Sequence, residues 1–112
     1  MNETQALLLS AAIEAPIAFL VSRLTRWPSR GNLHVAAAAA AATAISHPQF
    51  WQAMQWSYER FAYWPSVMVG ETCVMLFEAA LIAWMAGLRI ERALAVSVVA
   101  NASSFLFGLA VV

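Results

Sequence analysis

Three carboxylates stand in stretches of sequence too apolar to be washed by water: Glu14, Glu71 and Glu78. The chemistry open to such groups is narrow. Each can stay neutral, share a proton with a neighbour, or hold a cation. No Arg or Lys falls in the same stretches, so there is no built-in counter-ion. Asn101 adds an amide in a fourth apolar stretch, and Thr43, Ser97 and Ser104 add hydroxyls. These seven residues form the candidate ion, proton or ligand site. The same side chains also suit a plainer role, because polar groups buried between helices serve as hydrogen-bonded glue.

Their spacing is helical. Glu71 and Glu78 are seven residues apart and share a face. Ala93, Ser97, Ala100, Asn101, Ser104 and Gly108 make one stripe of small and polar residues. Ser10, Glu14 and Ala18 make a second stripe, and Thr43 with Ser46 a third. Small residues let helix backbones approach, and hydroxyls and amides bond across the gap. The stripes therefore predict one shared interior.

Other chemistry finds less support. No nucleophile stands in a recognisable catalytic pattern, so no catalytic residue is assigned and no enzyme is expected. Cys73 is the only cysteine, which excludes an internal disulfide and a CxxC pair; it reads as a small packing residue. His47 with Glu71 offers two ligands for a metal, short of a coordination set, so no metal site is assigned. His34 and His47 are thirteen residues apart, about 20 Å along a helix, and cannot clamp one haem between them. Nothing in the sequence names a cofactor.

The elements that must position these groups follow from composition. Of 112 residues 62% are hydrophobic and 11% charged, and the mean hydropathy is +0.70. That is the balance of a membrane protein, where lipid replaces water around the perimeter. A span needs about 20 apolar residues to cross a core about 30 Å thick. Three segments approach this length, at about 5–22, 65–88 and 93–112, and a shorter one at about 33–46 is read as the second of four spans. The second is the shortest and contains seven consecutive alanines, Ala36 to Ala42. Counted inward from the outer boundary, Glu71 lies about 9 Å deep, Glu14 about 13 Å, Asn101 about 16 Å and Glu78 about 20 Å. Residues 49–63, between Pro48 and Pro65, place Phe50, Trp51, Met54, Tyr58 and Phe61 on one face. They predict a separate amphipathic helix lying in the membrane interface. The fold expected is all-α: an integral membrane four-helix bundle, one domain over 1–112.

The six arginines set the expected orientation. Arg23, Arg26 and Arg30 fall in the first loop, Arg89 and Arg92 in the third, and only Arg60 in the second. The positive-inside rule places loops 23–32 and 89–92 in the cytoplasm and both termini outside, as in a bacterial inner membrane. An acidic start before the first apolar run predicts a retained span, not a cleaved signal. Net charge is zero with no basic run, which argues against nucleic acid as a partner. The expected partners are the lipid bilayer and either further copies of the chain or other membrane subunits.

Two halves of the chain echo each other. Glu14-Ala15 and Glu78-Ala79 each open an apolar half-helix that leads into an arginine loop. Ala42-Thr43-Ala44-Ile45-Ser46 and Ala100-Asn101-Ala102-Ser103-Ser104 share a polar-x-x-Ser pattern. This predicts two parallel-repeat helical hairpins related by an axis along the membrane normal. Length, four spans, Glu14 in the first and Trp64 entering the third also resemble the small multidrug resistance transporters. That resemblance implies a proton- and cation-binding role for Glu14 in an antiparallel dimer. It touches only Glu14 and Trp64; Glu71, Glu78, the long second loop and the arginine asymmetry depart from that pattern. The expected function is proton- or cation-coupled transport or a channel. The alternative is an accessory or assembly subunit of a larger respiratory, photosynthetic or transport complex.

Overall fold

The computed structural model describes residues 2–111; Met1 and Val112, at the ends of the expected 1–112 domain, lie outside the described residues. The chain forms four helices: α1 (Glu3–Thr25), α2 (Asn32–Tyr58), α3 (Tyr63–Ala86) and α4 (Ile90–Val111). α1 packs on α2 and α4, and α3 packs on α2 and α4, so the helices run up and down around a square. The longest dimension is 43 Å, longer than a hydrocarbon core of about 30 Å, so helix ends reach past it.

Local signals fix most helix ends. Asn2 closes a reciprocal capping box with Gln5, its Oδ1 accepting from the Gln5 amide at 2.8 Å. α1 stops where Arg26 turns left-handed (φ 54°), and α3 stops at Gly87 (φ 70°), a conformation glycine adopts without strain. Arg30 then caps α3 from outside. Its backbone amide donates to the Ala86 carbonyl at 2.9 Å and its Nη1 to the Met85 carbonyl at 2.7 Å. These carbonyls are the orphan acceptors of a helix C-terminus, where positive charge is favoured. The two arginine-bearing loops are thereby strapped together at one end of the bundle. Arg23 belongs to the last turn of α1 and Arg92 to the start of α4, so both loops are shorter than 23–32 and 89–92.

One expectation about the elements is corrected. The amphipathic segment is not a separate helix over 49–63; residues 49–58 continue α2 through Pro48 without a break. Inside a helix, proline removes one N–H and its ring crowds the carbonyl one turn back. Tertiary packing makes up for it. Phe50 and Met54 lie on Gly70 of α3, where an added Cβ would come within 3.0 Å of Phe50 Cε2 and nearer still to Met54 Sδ. The aromatic face is split as a result. Met54 is buried, Trp51 stacks on His47 at 5.9 Å, and Trp56, Tyr58 and Phe61 remain exposed.

The burial pattern is inverted relative to a soluble bundle. Glu14 and Glu78 are 2% and 3% exposed, whereas Met68, Leu76, Phe77 and Leu106 are at least half exposed. Helices α1 and α3 and the Ile90–Ala110 stretch of α4 are long and apolar enough to cross a membrane. These features mark a membrane protein. α2 is the least apolar helix because it carries His34, Thr43, Ser46 and His47. It returns between α1 and α3, with Thr43, Ser46 and His47 buried and Ala38, Ala39 and Ala42 packed into the core.

Candidate functional site

The bundle has two unlike halves. At the arginine-loop end, Ala18, Val35, Ile82, Ala86 and Val96 are at most 1% exposed and fill the centre with aliphatic groups. Alanines allow this because a methyl side chain lets backbones close up. At the other end a cavity of about 280 Å³ opens between the helices. Ala6, Tyr63 and Leu109, near the adjacent ends of α1, α3 and α4, line its outer part, and Glu14, Thr43, Glu78 and Asn101 line its floor.

All four helices contribute to that floor. Thr43 of α2 donates to Glu14 Oε2 of α1 at 3.0 Å. Ser46, one turn along α2, donates to Glu78 Oε1 of α3 at 2.8 Å. Asn101 of α4 donates to Glu78 Oε2 at 2.7 Å, and the same amide reaches the Ser97 carbonyl at 2.9 Å. Each hairpin thus ties its glutamate to the polar residue at the matching place on its second helix. The depths estimated along separate spans spread Glu14, Asn101 and Glu78 over about 7 Å. The structure brings them to one layer, because the helices begin at staggered heights.

Six of the seven candidate residues line this cavity: Glu14, Glu71, Glu78, Asn101, Thr43 and Ser104. Glu71 stands two turns nearer the mouth than Glu78, half-buried. Ser104 donates to Ser10 Oγ at 3.3 Å, joining α4 to α1 above Glu14. Ser97 does not line the cavity. Its hydroxyl donates to the Met75 carbonyl at 2.8 Å, so it buttresses α3 against α4 and backs Asn101. Cys73, expected to pack inside, is exposed on α3 and borders an apolar groove between α2 and α3.

Ser10 and Ser46, on the interior stripes, and His47 also line the cavity, beyond the seven candidate residues. Ser46 lies one turn from Thr43 and Ser10 one turn from Glu14, so helical spacing carried the signal for both. His47 is i+4 from Thr43 and lies on the same face, one turn nearer the mouth. Among the described residues no three of His, Cys, Asp and Glu stand together as metal ligands would. His34 lies far from this site, exposed beside Arg30 and Trp84.

The electrostatics are one-sided. Three carboxyls face the cavity, and among the described residues no Arg or Lys lines it. The floor can therefore hold protons or accept a cation, and it presents no positive side chain to an anion. The chain matches no protein-family model, no curated protein and no solved structure.

Proposed function

We propose that this chain is a small multi-pass membrane protein that handles protons or a small cation, in a transport or channel role, through the cavity floored by Glu14 and Glu78. One observation carries the reading: acidic and polar groups from all four helices converge in a single cavity whose wall, among the described residues, includes no Arg or Lys. Charged groups at membrane depth are costly to insert and mark ion pathways. The aliphatic plug at the arginine-loop end favours a site reached from one side at a time over an open pore. In this reading the arginine loops are cytoplasmic, the mouth and both termini face outward, and the membrane is a bacterial inner membrane.

The test is flux. Purified protein in liposomes with a trapped pH indicator should dissipate an imposed proton or cation gradient, and Glu14→Gln should abolish this while the protein still folds. Absence of flux from well-folded parent protein would remove the reading.

A second reading draws on Glu78, whose two oxygens are both bonded within the chain, as structural glue would be. Here the protein is an accessory subunit, and the apolar groove lined by Phe50, Val69, Gly70 and Phe77 receives a helix of a larger complex. Isolation in mild detergent separates the two. A transporter purifies as its own monomer or homo-oligomer, a subunit only with foreign chains.

A further inference from the structure

Glu14 and Glu78 occupy matching places in the two hairpins, yet their surroundings differ. Glu78 has a donor on each oxygen, Ser46 on Oε1 and Asn101 on Oε2. Glu14 has Thr43 on Oε2 and nothing on Oε1, which is buried without a partner. The hydroxyl that would complete the match, Ser104, is spent on Ser10 instead. One turn nearer the mouth, His47 Nδ1 is also buried without a partner. Glu14 is 2% and His47 9% exposed, and both line the same cavity.

Buried polar atoms left unpaired cost free energy, and each one in a folded protein calls for an explanation. A proton on Glu14 removes the charge but leaves an O–H without an acceptor. A bare metal ion would find too few ligands, since among the described residues no three of His, Cys, Asp and Glu stand together. With the imidazole proton on Nε2, Nδ1 accepts. The two orphan atoms then ask for a guest with positive charge and more than one hydrogen-bond donor. Toward the mouth the wall mixes the polar Ser10, Glu71 and Ser104 with Leu9, Phe50, Val74 and Phe105, and the apolar side chains suit a short hydrocarbon part. The volume, about 280 Å³, falls just below the usual range of ligand pockets, so the guest is small.

We infer that the cavity takes a small primary ammonium ion, its N–H groups on Glu14 Oε1 and His47 Nδ1 and its alkyl part toward the mouth. The inference rests on the cation-handling reading and supplies that cation's chemistry. Glu14 is the exchanging carboxyl; Glu78 is a fixed clasp. The titratable groups that line the cavity with Glu14 are His47 from α2 and Tyr63, Glu71 and Glu78 from α3; α4 presents Asn101 and Ser104, which do not titrate.

The experiment compares n-butylammonium with tetramethylammonium, which match in charge and in number of non-hydrogen atoms but differ in N–H donors. Each is titrated calorimetrically into the parent protein in lipid nanodiscs, in buffers of different ionisation enthalpy to count protons released. Butylammonium should bind with proton release and about tenfold or more tighter than tetramethylammonium. Glu14→Gln should erase the preference. His47→Phe, which keeps a ring against Trp51 but has no acceptor, should reduce it. Equal affinity of the two cations overturns the donor-pairing inference, leaving a cavity that selects by charge alone. If neither cation binds, trapped water satisfies the orphan atoms and the inference falls. The cation-handling reading is then decided separately by proton flux in liposomes and by infrared titration of the Glu14 carboxyl. Flux that follows the Glu14 titration persists if only the guest was misassigned; flux is absent, whatever the carboxyl titration, if the reading itself is wrong.

Discussion

Asn101 Nδ2 lies 2.7 Å from Glu78 Oε2 and 2.9 Å from the Ser97 carbonyl, so each hydrogen of the amide has an acceptor. The pair staples α3 to α4 at the depth where Ser46 staples α2 to α3 through the same carboxyl. Removing the amide therefore strands an acceptor, whereas replacing the carboxyl with an amide keeps one. Asn101→Leu should destabilise the bundle by about 1–3 kcal/mol, the cost of a buried unpaired group. Glu78→Gln should stay within about 1 kcal/mol, in line with interhelical hydrogen bonds in membranes. Equilibrium unfolding in mixed detergent micelles measures both. Equal losses for the two variants would remove the clasp assigned to Glu78.

Glu14 should govern pH dependence. A proton and a cation compete for the same oxygens, so apparent affinity for a cation should fall as pH falls. Glu14→Gln has no proton to exchange at that site and should bind weakly with a flattened pH profile. Titrating a cation into parent and variant across a pH series checks the sign. A parent whose affinity rises on acidification would contradict competition at this site.

Gly70 should control the outer half of α2. Its missing side chain makes room for Met54 and Phe50, which hold residues 49–58 in helix beyond Pro48. Gly70→Leu should cost about 1–3 kcal/mol by overpacking and speed amide hydrogen exchange over 49–58. Gly70→Ala should cost less, because the thioether of Met54 can swing aside. Protected amides in Gly70→Leu would show that α2 does not depend on this contact.

Arg30 should act as an external cap. Its Nη1 reaches the carbonyls of Met85 and Trp84, and its backbone amide reaches that of Ala86. Arg30→Ala should lower stability by about 1 kcal/mol through loss of charge at the helix end. Arg30→Lys should recover the charge but only part of the bonding, since an ammonium lacks the planar fork. Thermal unfolding of the three proteins ranks them; equal midpoints would make the cap energetically idle.

Sidedness should follow the arginines. With Cys73 replaced by Ala, single cysteines at Pro28 and Glu59, both exposed, should label with an impermeant reagent from opposite faces of the membrane. Pro28 should be cytoplasmic and Glu59 external. Labelling of both from one face would dismiss the alternating crossing.

Much of this architecture was legible in the residues themselves. The cost of burying an unpaired carboxyl in lipid forces Glu14 and Glu78 inward whatever their neighbours, and helical spacing places Ser10, Thr43 and Ser104 on the faces that follow. Those are local constraints, so Glu14, Thr43, Glu71, Glu78, Asn101 and Ser104 could be assigned to one interior before any packing was known. What required the tertiary structure is non-local. Helix stagger brings Glu14, Glu78 and Asn101 into one layer despite their unequal distances from the span ends. Packing of Phe50 and Met54 on Gly70 carries α2 past Pro48, against the local signal to stop. The direction of single hydroxyls sends Ser97 to the Met75 carbonyl and Ser104 to Ser10. That direction leaves Glu14, alone of the two buried carboxyls, with a free oxygen facing the cavity. A sequence lists the donors and acceptors, but which of them meet depends on axial shifts smaller than one helical turn, and only the packed bundle sets those.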